Sequence, residues 1–459
     1  MTRDSIASRR TFLATSGSAL AAALAGCTGD GGDGGGGGGG GGDGGDGGGG
    51  DGGGGGDGGD GGGGGDGGQS NAIKVGVLLP FSGDYAWVGS NVLPVVKMIA
   101  EEINAQGGIG GRNVQVVQGD TEGSPSASLS AAKRLINVEG VSGIIGPTSI
   151  TMSAVFDLFT QNKVPIVTPT AGTTSLDDRG GEYVFRTVPS DALGGRALAL
   201  AARRKKYNTA QSYSRMALMV GNKEVFQSFE APITESFKEF GGTITTTIDF
   251  KTGKASYQSE VQKMLNSDPD ITTLVGSKDD SIKIMQAAFQ AGYEGNWFAT
   301  QDQSTSAFLK DASDKLTDGM FGIESAPYQA AQEAGRLEAF KQRFTEYAGS
   351  EPKLFARNTY DAMNVLGLAM KATAVAGNDL TGQNIAANIP TVAKPPQKTV
   401  TDYTAGADAL ANGADVDYQG LVGPINFDED GDIGAPFNIL QASGDTWQTV
   451  ATIQPSALK

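Results

Sequence analysis

The sequence contains no histidine in 459 residues. That excludes Ser-His-Asp and Cys-His catalysis and any histidine-ligated metal. There is one cysteine, Cys27. No internal disulfide can form, and the body of the chain holds no thiol catalyst. No GxxxxGK[ST] phosphate loop occurs. Asp, Glu, Tyr and Lys could support acid/base chemistry, but no motif pairs a nucleophile with a base. The apolar run at 14–24 is too short to span a bilayer.

What is abundant is glycine, with 72 residues, and acid, with a net charge of −16. Most of the excess glycine lies at 28–68, mixed with eight aspartates. Arg3, Asp4, Arg9 and Arg10 leave the head at +2, so the rest of the chain carries −10 of the −16. A body this acidic repels phosphate and is a poor nucleic-acid binder. It also fits high-salt surroundings of the haloarchaeal type.

Residues 1–27 read as a targeting segment. Ser8-Arg9-Arg10-Thr11-Phe12-Leu13 is a twin-arginine pattern, followed by the apolar run. Leu24-Ala25-Gly26-Cys27 resembles a lipoprotein processing box, with cleavage before Cys27 and lipid on its thiol. Residues 28–70 have nothing apolar to bury and much backbone entropy to lose, so they are expected to form a disordered linker. Its root-mean-square reach would be roughly 35 Å. It reads as a tether between a lipid anchor and a folded body.

The body alternates strand and helix, which predicts an α/β fold with parallel sheets. Strands are expected at 73–79, 114–117, 141–145, 164–167, 216–220, 243–249, 271–275, 297–300 and 320–324. Helices are expected around 92–103, 128–138, 193–205, 225–240, 257–266, 281–290, 334–347 and 359–376. The segment 437–452 reads as a hairpin around Ser443-Gly444-Asp445. That many strands exceed one sheet of usual size, so two lobes are expected.

The stretch 141–174 is a β-α-β unit whose strands both end in loops rich in hydroxyls. These are Thr148, Ser149 and Thr151, then Thr168, Thr170 and Thr173. Ligands of open α/β sheets bind beyond such strand ends. The first loop also feeds a helix N-terminus, which favours an anion such as a carboxylate. These loops are expected to clamp a small polar ligand. Capping and turn formation alone would also account for such residues.

The run Leu79-Pro80-Phe81-Ser82-Gly83, with Glu102-Ile103-Asn104-Ala105-Gln106-Gly107-Gly108-Ile109-Gly110-Gly111, resembles the branched-chain amino-acid-binding proteins. These are the type I substrate-binding proteins of ABC transporters. Further matches are Ile144-Ile145-Gly146-Pro147, Pro165-Ile166-Val167-Thr168-Pro169, Phe185-Arg186-Thr187, Tyr360-Asp361-Ala362, and Gly423-Pro424-Ile425-Asn426-Phe427-Asp428. The resemblance covers nearly all of the body, in order. It implies two Rossmann-like lobes, 72–188 plus 323–424 and 189–322 plus 425–459. Three hinge crossovers would join them near 187–191, 323–327 and 426–431.

The resemblance also implies a role, and it implies no cofactor. The protein would capture an amino acid, or an amide- or urea-like solute, and deliver it to an ABC permease and its ATPase. A sensor of the same fold without transport is the alternative. Residues 148–153 would offer hydroxyl and N–H groups to the ligand carboxylate, with Thr151 nearest the family's binding serine. Residues 168–173 would complete the contacts, although Gly172 stands where the family has threonine. Asp302 would receive an ammonium, with Gln301 as the fallback. Trp87 would lie over the ligand's side chain. The family's Tyr-Gly run is replaced here by Val225-Phe226.

Overall fold

The computed structural model describes residues 71–208 and 211–458. The targeting segment, Cys27 and the glycine tract lie outside the described residues.

The first strand shows why the fold is layered. β1, Ile73–Leu79, is buried along its whole length apart from Lys74. A strand covered on both faces needs such a continuous apolar run. The helix Ala86–Ala105 follows and turns Val88, Val92, Val95, Val96, Ile99 and Ile103 inward. β2 is Val114–Asp120, β3 is Gly143–Ile145, β4 is Ile166–Thr168 and β5 is Val184–Arg186. These five strands form one parallel sheet in the order β2-β1-β3-β4-β5.

The second sheet has seven strands. β6 is Arg215–Gly221, β7 is Thr243–Phe250, β8 is Ile271–Val275, β9 is Asn296–Ala299 and β10 is Phe321–Ser325. A two-stranded ribbon, β11 at Lys398–Val400 and β12 at Val416–Tyr418, stands apart. β13, Phe437–Ser443, and β14, Thr446–Ile453, close the second sheet as an antiparallel edge. Its order is β14-β13-β10-β9-β8-β6-β7.

The chain is therefore an α/β protein of two lobes, and it passes between them three times. It leaves the first sheet after Arg186 and enters the helix Asp191–Arg203, whose Ala197, Leu198 and Ala201 join the core of the second sheet. It leaves the second sheet after Ser325. The helices Arg336–Ala348 and Ala356–Val375 then pack with β1 and its neighbours, through Phe340, Phe344, Leu366 and Met370. It returns between Tyr418 and Phe437. Among the described residues no helix is long and apolar enough to cross a membrane.

Several expectations from periodicity need correction, among them the strand at 164–167, which runs Ile166–Thr168. The helix read across 225–240 is two helices, Glu224–Gln227 and Glu230–Glu239. At the break the Ser228 hydroxyl donates to Asp191, and Phe229 presses against Gly194, where a Cβ would come within 3.1 Å of the ring. That tertiary contact overrides the local apolar pattern. The strand expected from 141 begins only at Gly143, because Val141 and Ser142 bond to Leu135 and Lys74 outside the regular ladder.

Candidate functional site

β3 and β4 lie side by side and end together, so the segments after them share one end of the sheet. After β3 the backbone turns at Gly146, with φ 105° and no room for a Cβ, which would stand 2.3 Å from the Leu78 carbonyl oxygen. Only glycine fits there. Pro147 follows, then Thr148 as the N-cap of the helix Ser149–Gln161. The hydroxyl-rich segment at 148–153 is thus the first turn of a helix, and its open N–H groups and dipole favour an anion.

The hydroxyls at this end divide into two kinds. Thr168 donates to the Pro147 carbonyl at 2.7 Å and accepts from the N–H groups of Thr170 and Ala171. Thr170 donates to the same carbonyl at 3.2 Å. Ser149 accepts from the Thr173 N–H at 3.3 Å, and Thr173 caps a short 3-10 turn by accepting from Ser175. All four bond within the protein, and those of Thr168, Thr170 and Ser149 hold the two segments together. Thr148 and Thr151 are buried, yet neither hydroxyl has a hydrogen-bond partner. Buried polar groups are normally paired. Both unpaired hydroxyls stand at one helix N-terminus.

Gly172 is explained by its neighbour. A Cβ on it would stand 2.4 Å from Oδ1 of Asp191, so the carboxylate occupies the space of a side chain at that position. Asp191 opens the helix Asp191–Arg203, donates its N–H to the Gly172 carbonyl at 2.7 Å, and accepts from Ser228. Burial pushes its carboxyl up to about 7, against the opposing pull of Ser228 and Arg186, and the charge of Asp302 adds to the rise. Asp302, from the loop after β9, is half-buried, and loss of water raises it to about 6. Its charge also reaches Tyr85, in the loop after β1, where burial is the larger cause of a strongly raised phenol. Two carboxylates and a phenol from three chain segments thus feel one another.

Sequence reasoning missed Asp191, Tyr85, Lys223 and Glu224. Lys223 donates to the Tyr85 hydroxyl at 3.3 Å and stands 5.0 Å from its ring centroid. Glu224 accepts from Ser153 at 2.8 Å and from Ser175 at 3.4 Å. Both follow β6, so these contacts bridge the lobes across the cleft, and Val225-Phe226 comes just after them. The signal for Asp191 was present: an acid after Ser190, opening a helix at a crossover. Trp87 is not brought to the hydroxyl pair by any contact in the structure. It is 39 % exposed and stacks on Phe355 at 6.1 Å between centroids. Gln301 lines a narrow crevice with Ser190, Asp191, Phe229 and Glu324.

Beneath the site Arg186 uses all its donors. It pairs with both oxygens of Asp432 and with Asp177, and it donates to the carbonyls of Gly172 and Thr173 at 3.1 and 3.0 Å. Ser190 donates to Asp177 at 2.7 Å. The first crossover, the third crossover and the 168–173 segment are thereby fixed to one buried guanidinium. Such bidentate pairs fix orientation as well as energy.

A family model described as periplasmic binding protein matches residues 72–446. The chain belongs to that family, whose members are substrate-binding proteins. It is 27% identical over 229 residues to the Leu/Ile/Val-binding protein homolog 7 of Brucella abortus, a match covering 48% of this chain and 56% of that protein. The chain thus spans little more than half the length of that relative. It is 24% identical over 365 residues to the chemotactic signal transduction system substrate-binding protein BasB of Halobacterium salinarum, covering 77% and 83%. Among solved structures it is similar to a leucine-binding protein LivK from Thermotoga maritima, with a TM-score of 0.69 and 22% identity over 84% of this chain and 99% of that one.

Proposed function

We propose that this protein captures a small zwitterion, an amino acid or a close relative, in the cleft between its lobes. The observation that carries this reading is the pair of buried, unpartnered hydroxyls of Thr148 and Thr151 at a helix N-terminus. The ligand carboxylate accepts there. Its ammonium faces Asp302 and Asp191 on the opposite side, neither of which is in an ion pair among the described residues. An amide or urea-like solute uses the same hydroxyls and needs the carboxylates less. Residues 72–188 plus 323–424 form one jaw and 189–322 plus 425–459 the other. The three passages of the chain near 187–191, 323–327 and 426–431 act as hinges.

The role that follows is capture without catalysis. An extracellular binding protein delivers its ligand to an ABC permease driven by its ATPase. It is exported by the twin-arginine route and held at the outer face of the membrane by lipid on Cys27, with residues 28–70 as the tether. The relative in Halobacterium salinarum, by its name a component of chemotactic signalling, favours a second reading: ligand sensing without transport. Permease and ATPase genes beside this one support delivery, and receptor genes support sensing.

The test is mass spectrometry of ligand extracted from the purified protein, followed by calorimetry with the compound found. A zwitterion of amino-acid size supports the reading. A ligand with neither carboxylate nor ammonium removes it, while the family assignment stands.

A further inference from the structure

Arg357 stands in the first turn of the helix Ala356–Val375. It is half-buried, and it donates to the Ser325 carbonyl at 3.1 Å. Among the described residues no carboxylate lies within ion-pair distance of it. The buried Arg186 saturates its donors and Arg343 pairs with Glu102, so Arg357 is treated differently. Loss of water holds its guanidinium below the ordinary arginine range, against the more distant fields of Glu324 and Asp361. A half-buried guanidinium with one carbonyl partner and no counter-ion keeps donors open for a further acceptor.

Its surroundings say where the missing partner sits. Phe355, two residues earlier, has φ 71°, a left-handed conformation that a bulky residue rarely adopts. Such strain gathers at ligand clamps. The Phe355 ring stacks on Trp87 with planes 13° apart. Trp87 lies two residues from Tyr85, which feels Asp302. On the other flank, Ser325 ends β10, and Glu324 lines the crevice with Asp191 and Gln301. Arg357 is thus tied through the Ser325 carbonyl to the strand end that carries Glu324 of the crevice, and it follows by two residues the Phe355 ring stacked on Trp87.

We propose that Arg357 selects the ligand by donating to an acceptor at the far end of its side chain, a carboxylate or an amide carbonyl. The inference rests on the zwitterion reading above and narrows it to amino acids of the glutamate or glutamine type. The Trp87–Phe355 stack covers the aliphatic stem, and Arg357 takes the terminal oxygen. Glu324, whose Oε1 accepts from Asn438 at 3.2 Å, is placed to accept from an amide NH2.

The test is titration calorimetry of glutamate, glutamine and leucine against the wild-type protein, Arg357→Met and Arg357→Lys. The wild type is expected to bind glutamate or glutamine at least about 10-fold tighter than leucine, the scale of one charge-assisted hydrogen bond. Glutamate ahead of glutamine means that a carboxylate is read, and the reverse means that Glu324 reads the amide. In Arg357→Met the polar-to-leucine affinity ratio should fall at least about 10-fold. Arg357→Lys keeps the cation and should fall less. If Arg357→Met does not fold, the wild-type ratio and the lysine variant still decide. Leucine bound more tightly than both polar ligands, or a polar preference unchanged in the variants, overturns the inference and leaves the amino-acid reading in place. A wild type that binds no amino acid but holds another solute overturns both.

Discussion

At the scale of single residues, the site is defined by which polar groups are already occupied. Thr168, Thr170, Ser149 and Thr173 bond within the protein, whereas Thr148 and Thr151 have nothing to bond to. In the sequence all six look alike, because hydroxyl type shows and hydroxyl commitment does not. Asp191 and Asp302 carry a pH signature. Folded, they hold protons up to about 7 and about 6. Unfolded, they lose them near the ordinary aspartate value of roughly 4. Between these limits the folded state binds more protons, so the stability of the free protein falls as pH rises from about 4 to about 7. Affinity for an ammonium ligand runs the opposite way and rises over pH 5 to 8, because only the ionised carboxylates attract it. Thermal melts and calorimetry across that range check both slopes, and parallel slopes would contradict this account of the two acids.

At the scale of elements, the binding end is the place where two parallel strands, a helix N-terminus and the first crossover meet. The segment at 168–173 lies against the helix Asp191–Arg203, with Gly172 under Asp191. Gly172→Ala must displace that carboxylate. We expect ligand affinity to fall roughly 10-fold or more, the worth of a displaced charge-assisted contact. The overpacking should cost about 1–3 kcal/mol of stability. Calorimetry and melting of this variant measure both, and unchanged affinity would show that Asp191 does not face the ligand. The same elements show what a sequence can reveal. β1 and β8 were legible to the residue, since runs rich in β-branched and apolar residues between helical patterns read as strands. β5, β11 and β12 were not, because three residues carry no period. The break at Ser228 and Phe229 was hidden as well, since it is made by Asp191 and Gly194, 37 and 35 residues earlier in the chain. The hydroxyl-rich segments were legible from local sequence, whereas Asp191 and Arg357 matter through partners that only the fold supplies.

At the scale of the whole molecule, the buried Arg186 ties the first and third crossovers to the 168–173 segment, and the two lobes are bridged by Ser153–Glu224 and Tyr85–Lys223. The proposed anchor at Cys27 and tether at 28–70 are expected to take no part in binding, since glycine and aspartate cannot build a pocket. Protein beginning at Ser70 should keep full affinity, and Cys27→Ala should release the full chain to the medium or stall its processing. Fractionation and calorimetry check this pair, and a membrane-bound, normally cleaved Cys27→Ala would contradict the anchor. The central claim is that a zwitterion lies between Thr151 and Asp302, and its most direct test is calorimetry of one amino acid ligand against wild type, Thr151→Val and Asp302→Asn. A hydrogen bond to a charged group contributes about 1.5–3 kcal/mol. Thr151→Val should therefore weaken binding roughly 10- to 150-fold, and Asp302→Asn should weaken it at least as much. Wild-type affinity in both variants would contradict the claim and place the ligand elsewhere.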